Sequence, residues 1–123
     1  MTVDTNIIIG YLGGDTLIVD AIKHWREKGV PLFLPAIVES ETLAFSKLTS
    51  DERKLIEKFL EENFIFVSFD RSVARITARL RSEAKLKFPD AAIAATALFT
   101  HTPLVTRNLK DFRRVTELQI LAV

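Results

Sequence analysis

The chain predicts an α/β fold: three layers, α/β/α, around a mostly parallel sheet of four or five strands. Three observations lead there. Short apolar or β-branched runs alternate with longer stretches of helical periodicity along the whole sequence, and right-handed crossovers turn that alternation into a parallel sheet covered on both faces. No repeat, linker or low-complexity segment interrupts the order, so residues 1–123 read as a single domain. At 123 residues the chain is also long enough to bury a core without staples.

Taken in order, Thr2-Val3 is a very short strand, and Asp4-Thr5-Asn6 ends it and opens a helix from Ile7 to Leu12 that Gly13-Gly14 stops. Asp15 caps a second helix, which carries Ile18, Ala21, Ile22 and Trp25 at helical spacing and stops at Gly29. Pro31-Leu32-Phe33-Leu34 is a buried strand. Pro35 begins a helix to Leu48, because its fixed φ and missing N–H suit a first turn. Thr49-Ser50-Asp51-Glu52 is a capping box for a helix to about Glu62, with Leu55, Ile56, Phe59 and Leu60 inward. Phe64 to Val67 is a strand of aromatic and β-branched residues. Asp70 opens a long helix to about Lys87, with Val73, Ile76, Thr77, Leu80 and Ala84 inward and Arg71, Arg75, Arg79, Arg81 and Lys85 largely outward. Phe88-Pro89 breaks it, Asp90 to Phe99 is a helix apolar enough to be buried, and Pro103 to Val105 and Leu118 to Leu121 are the last strands.

Composition removes several classes. With no cysteine there is neither a disulfide framework nor a thiolate metal site. No apolar run approaches a membrane span, and MTVDTN lacks a basic region followed by an apolar core, so the expectation is a soluble cytoplasmic protein. Net charge is only +1, but it is unevenly spread: residues 1–70 carry 7 Lys/Arg against 12 Asp/Glu, and residues 71–114 carry 10 against 3. That asymmetry suggests a positive face on the second half, unless those residues merely solvate a helix surface. His24 and His101 fit no zinc spacing, and Gly13-Gly14 begins no phosphate loop, so a nucleotide cofactor is not expected.

The informative residues are acids. Asp4 follows a strand and opens a helix, where Asp also serves as an N-cap. Asp90, at the head of the apolar helix, has the same alternative through the helix dipole, and Asp111 reads equally as a loop acid. Glu41 is harder to dismiss. It lies in the middle of the stripe formed by Ile37, Val38, Ala44, Phe45 and Leu48, where no orphan N–H receives it, so it must be paired, protonated or metal-bound. Glu39 points to the opposite side. If Asp4, Glu41, Asp90 and Asp111 meet at the carboxyl ends of the strands, they repel one another unless a hard cation joins them. Oxygen-only ligands at an open site suit Mg²⁺ or Mn²⁺, ions that activate water and polarise phosphoryl oxygens.

Four stretches in order, Val3-Asp4-Thr5-Asn6, Pro35 to Glu41, Phe88 to Ala97, and Leu104 to Asn108 with Asp111-Phe112, resemble the acidic motifs of PIN domains, most nearly the VapC-type toxin ribonucleases. The resemblance covers nearly the whole chain, although its middle is generic. It implies a PIN-like fold and an endoribonuclease dependent on Mg²⁺ or Mn²⁺ that acts on RNA as a homodimer and is inhibited by a cognate antitoxin. Carried over by residue, Asp4, Glu41 and Asp90 match the metal-binding acids and Asp111 a fourth. A nearer position for that fourth acid holds Asn108, which accepts hydrogen bonds but brings no charge. Asn6 and Thr106 match residues that orient the carboxylates. Arg71, Arg75 and Arg107 are the candidates to steer an RNA backbone.

Other readings stay open at this point. A non-catalytic RNA- or protein-binding PIN-like domain would keep the positive face and lose the cation, and a housekeeping RNA-processing nuclease would share the site without the toxin role. A small phosphohydrolase or a receiver-like phosphoacceptor is a third class, against which the single acid of Thr2-Val3-Asp4-Thr5 counts. An apolar groove between the first helices, walled by Ile8, Tyr11 and Leu12, is the expected antitoxin contact, with packing against the long helix or a second subunit as the alternative.

Overall fold

The computed structural model describes residues 1–45 and 47–123. Five parallel strands form one sheet: β1 (Thr2–Val3), β2 (Phe33–Pro35), β3 (Ile65–Val67), β4 (Leu104–Val105) and β5 (Ile120–Leu121), in the order β3-β2-β1-β4-β5. Among the described residues seven helices connect them: α1 (Thr5–Leu12), α2 (Thr16–Glu27), α3 (Ala36–Ala44), α4 (Ser50–Asn63), α5 (Arg71–Glu83), α6 (Phe88–Thr100) and α7 (Leu109–Phe112). The expected α/β fold with a parallel sheet is therefore what the chain adopts.

The connections run outward from β1 to β3, then cross back to β4 and on to β5. With right-handed crossovers, that reversal puts α1 to α4 on one face and α5 to α7 on the other. It also makes the gap between β1 and β4 the topological switch point, where an α/β sheet leaves a crevice beyond its carboxyl edge. The register there is Thr2 opposite Leu104 and Val3 opposite Val105, so the chain leaves the two strands side by side at Asp4 and Thr106.

Local signals set most boundaries. Asp15 caps α2 by accepting from the N–H groups of Leu17 and Ile18, Thr49 and Glu52 form the reciprocal capping box of α4, and Asp70 accepts from Val73 N–H. Gly29, at φ +70°, takes the left-handed turn that ends α2. The core runs from Val3, Ile7 and Ile8 through Leu34, Val38 and Leu80 to Leu104, Val105 and Phe112, and α6 buries every residue from Ala91 to Ala97.

Several expectations need correction. The helix expected from Pro35 to Leu48 runs across residue 46, which lies outside the described residues; α3 itself ends at Ala44, and Pro35 is the last residue of β2. Its last turn tightens through Phe45 N–H donating to Thr42 carbonyl, and Phe45 is 66% exposed instead of part of a core stripe. Leu55, expected inward, is 70% exposed: helical periodicity marks a face without saying whether anything covers it. The long helix stops at Glu83, with Lys85 in a left-handed turn at φ +55°. Helix α6 starts at Phe88 and not at Asp90, because Pro89 is accommodated in the first turn. Ile8, expected to wall an exposed groove, is fully buried.

Candidate active site

Asp4 leaves β1 as the N-cap of α1, and its side chain accepts from Thr5 N–H at 2.7 Å. Capping is only part of its role. The other oxygen accepts from Thr106 Oγ1 at 2.6 Å and from Asn6 Nδ2 at 2.9 Å, so three donors from two crossing segments hold one carboxylate. Thr106 is completely buried at the end of β4, and its hydroxyl also accepts from Asn108 N–H at 2.9 Å. Backbone N–H of Arg107 donates to Asn6 Oδ1 at 3.3 Å, which turns the Asn6 amide so that its nitrogen faces Asp4 and Thr106. Asn6 and Thr106 thus orient Asp4.

Glu41 reaches the same edge from α3, which packs on α1, and accepts from Thr5 Oγ1 at 2.6 Å. Thr5 was not singled out from the sequence. Its backbone binds Asp4 and its hydroxyl binds Glu41, so it ties the two acids together. Asp90 sits in the first turn of α6, half-buried, with Lys87 and not Asp90 as the capping residue. Among the described residues it has no hydrogen-bond donor and no ion-pair partner. Asp111, expected in a loop, lies in α7, where Asn108 Nδ2 donates to it at 3.1 Å and Arg114 approaches at 3.6 Å. Asn108 thus bonds Asp111 directly.

Burial raises the Asp4 carboxyl above its ordinary value, the Glu41 charge adds to the rise, and the hydrogen bonds from Thr106, Thr5 and Asn6 oppose it. Asp90 is raised as well, first by burial and then by the charges of Asp4, Asp111 and Glu41, with Lys87 opposing. Asp90 thus feels the other three acids, and Asp4 feels Glu41. Among the described residues no three acidic or histidine side chains stand close enough to ligate one ion together. An ion at this edge would therefore take one or two carboxylates directly and keep several waters, as a hard octahedral cation does. The acids offer oxygen alone, and the repulsion that Glu41 exerts on Asp4, and that Asp4, Asp111 and Glu41 exert on Asp90, is what a divalent charge would relieve. Asp4, Glu41, Asp90 and Asp111 are the acids from which those one or two ligands would come.

Of the three arginine candidates, Arg71 and Arg75 stand exposed on α5. Arg107 is already engaged. Its guanidinium donates to Asp15 at 2.7 Å, which ties the loop after β4 to the start of α2, and to a backbone oxygen of Val123 at 3.2 Å. Glu39 faces away, lining a cleft with Leu34, Leu60, Glu61, Phe64 and Phe66. Burial and the charges of Glu61 and Glu57 raise its carboxyl.

The order of the acids, the crevice at the switch point and the parallel five-stranded sheet together define a class. The PIN-domain profile matches residues 1–118, and the chain belongs to the PIN-domain family. Within it, the chain is 29% identical over 133 residues to Ribonuclease VapC of Rickettsia bellii (strain RML369-C), an alignment covering 100% of this chain and 96% of that protein. It is 30% identical to a chain of a toxin–antitoxin complex from Klebsiella pneumoniae, with a TM-score of 0.77 over 93% of this chain and 91% of that one. A chain of VapBC2 from Rickettsia felis, bound to a DNA fragment of the promoter, shares the fold at a TM-score of 0.85 with 21% identity, covering 99% of this chain and 97% of its own.

Proposed function

We propose that this PIN domain is an endoribonuclease that hydrolyses RNA phosphodiester bonds at the carboxyl edge of its sheet with the help of Mg²⁺ or Mn²⁺, and that it is the toxin of a toxin–antitoxin pair. The observation that carries the reading is Asp90: a half-buried carboxylate, raised first by burial and then by the charges of three neighbouring acids, and given no donor among the described residues. A nearby cation would offset both the burial and the repulsion that raise this group. When bound, the ion would activate water and neutralise charge on the phosphoryl oxygens. The chain's own part is to hold the acids in place: Thr5 spaces Asp4 from Glu41, Asn6 and Thr106 fix the Asp4 oxygens, and Asn108 fixes Asp111. Among the described residues Arg71 and Arg75 make no ion pair and would meet the RNA backbone directly, while Arg107 first has to leave Asp15.

The VapC names and toxin–antitoxin complexes among the relatives support the toxin role and a cognate antitoxin. An open cleft of about 380 Å³ against α1 and α2, lined by Tyr11, Val19, Ile22, Lys23, Arg26 and Glu27, is the surface suited to an antitoxin helix. Exposed Ile65 and Phe66 on the edge strand β3 favour a homodimer. No single described helix is long and apolar enough to cross a membrane, and the reading puts the working toxin with its RNA in the cytoplasm.

The test is cleavage of a mixed RNA pool by the purified protein in Mg²⁺ or Mn²⁺, with EDTA and the Asp90→Asn variant alongside. Cutting that both controls abolish is expected. Cutting that persists in EDTA or in the variant would sink the reading, and calorimetry with no Mn²⁺ binding would favour a non-catalytic PIN-like domain.

A further inference from the structure

Two phenylalanines stand open at the carboxyl edge of the sheet. Phe69 follows β3 and is 42% exposed; Phe88, the first residue of α6, is 40% exposed. They meet edge to face with ring centroids 5.6 Å apart and planes at 65°, so each ring fixes the other's orientation. The guanidinium carbon of Arg81 lies 5.9 Å from the Phe88 centroid. Among the described residues Arg81 makes no ion pair, whereas Arg79, on the same helix, is held by Glu83 at 3.3 Å and Glu117 at 3.0 Å. Asp70, bonded to Val73 N–H, anchors the turn that carries Phe69. Phe88 lies two residues before Asp90 in the same helical turn.

We propose that Phe69, Phe88 and Arg81 form a stacking platform for an unpaired nucleobase of single-stranded RNA, one short step along the strand from the phosphate at Asp90. The proposal rests on the nuclease reading above and adds a substrate subsite to it. An exposed aromatic face receives any base, and a planar guanidinium closes over the other side of it. The Arg81 side chain is long enough to lift off Phe88 and admit a base between them. Charge decides between a nucleic acid and an apolar protein segment as the occupant. Helix α5 also presents Arg71 and Arg75, and residues 71–114 hold 10 basic against 3 acidic side chains, a surface for a polyanion. Duplex RNA, whose base faces are covered by their neighbours, cannot use the platform.

The test is a fluorescence titration of the full-length Asp90→Asn protein in Mg²⁺ with a mixed-sequence single-stranded oligoribonucleotide in which 2-aminopurine replaces one base at a time. Quenching at one register is expected, and Phe88→Ala or Arg81→Gln in the same background should abolish it and weaken binding by about fivefold or more. The complementary duplex should bind weakly and without quenching. Arg81→Gln changes an exposed side chain and keeps the test sound if Phe88→Ala fails to fold. Unchanged affinity and quenching in both variants would overturn the platform, as would Phe88→Ala altering only the oligomeric state. The two readings fail separately: loss of the nuclease reading leaves quenching without metal-dependent cleavage by the parent, whereas loss of the platform leaves cleavage without quenching. A parent that neither binds nor cuts RNA would overturn both.

Discussion

The two ends of the β1–β4 pair are built from the same side chain and put to opposite uses. At the amino end, the hydroxyls of Thr2, Thr100 and Thr102 bond one another at 2.7 to 3.0 Å, and Thr100 also reaches the Thr96 carbonyl at 3.0 Å. That network is neutral and satisfies itself. At the carboxyl end, Thr5 and Thr106 give their protons to Glu41 and Asp4, and the charges they hold in place still repel one another. One end closes the fold; the other keeps it in a state that an ion would complete. The difference teaches where stability and function separate in a small sheet, and it can be pressed from both sides.

The largest effect should come from removing charge at the carboxyl end. Asp90→Asn is expected to reduce cleavage to below about one per cent of the parent, since electrostatic contributions of this kind are worth a hundredfold or more. In the metal-free protein it should melt no lower than the parent, because it removes a repelled carboxylate. Mg²⁺ or Mn²⁺ at a hundredfold excess over Kd should stabilise the parent by about 2.7 kcal/mol and so raise its melting temperature, and should do much less for the variant. Equal metal stabilisation in both would break the comparison.

Next comes Thr106→Val, nearly isosteric and fully buried. It removes the short bond to Asp4 and leaves Asn108 N–H without its acceptor. Losing a buried donor to a charged acceptor costs about 1.5–3 kcal/mol, readable in urea unfolding, and cleavage should fall as well because Asp4 loses its orientation. A variant as stable and as active as the parent would show that Asn6 and Thr5 alone are enough.

How much of this was legible in the sequence follows from the range of each interaction. Asp4, the Thr49 capping box and the Asp15 and Asp70 caps are local, and their residues announce them. Glu41 was legible as an anomaly on an apolar stripe, but the donor that receives it, Thr5, lies 36 positions away. The Arg107–Asp15 pair spans 92 positions and leaves no local mark, so the sequence offers Arg107 only as a candidate to steer RNA. Pro89 marks a break in the sequence, yet its ring fits a first turn, so Asp90 lies inside that turn and not at the start of its helix. Phe45 and Leu55 are exposed although their periodicity points inward, because periodicity shows a face and not its cover.

The pH dependence should be gentler and of opposite sign to the usual acid response. Asp4 and Asp90 have folded-state values raised above 3.8, so between that value and the raised ones the fold holds more protons than the unfolded chain. Stability contributed by these groups is therefore present at the acidic side of the window and is lost as pH rises through it. Comparing the parent with Asp90→Asn by thermal melts in EDTA isolates the effect: the parent should fall behind the variant as pH rises toward neutrality. A gap that stays constant with pH would mean that Asp90 is not repelled. Added Mg²⁺ should help most at neutral pH, where the carboxylates are charged.

The smallest effect belongs to the amino end. Thr2→Val removes one hydroxyl from a neutral triad, yet Thr100 and Thr102 still bond each other at 2.9 Å, and Thr100 keeps its bonds to the Thr96 and Ala97 carbonyls. Because the remaining groups stay satisfied, the cost should be about 0.5–1.5 kcal/mol, below that of Thr106→Val. Cleavage and the stabilisation by Mg²⁺ should be untouched, since no charge on the acids depends on Thr2. The pair of variants makes the comparison quantitative: the same Thr→Val change, in β1 at one end and just past β4 at the other, should cost stability alone at the first and stability with activity at the second. If Thr2→Val lowered activity as much as Thr106→Val, the two ends would be coupled through β1 and β4, and the separation of fold from function drawn here would be wrong.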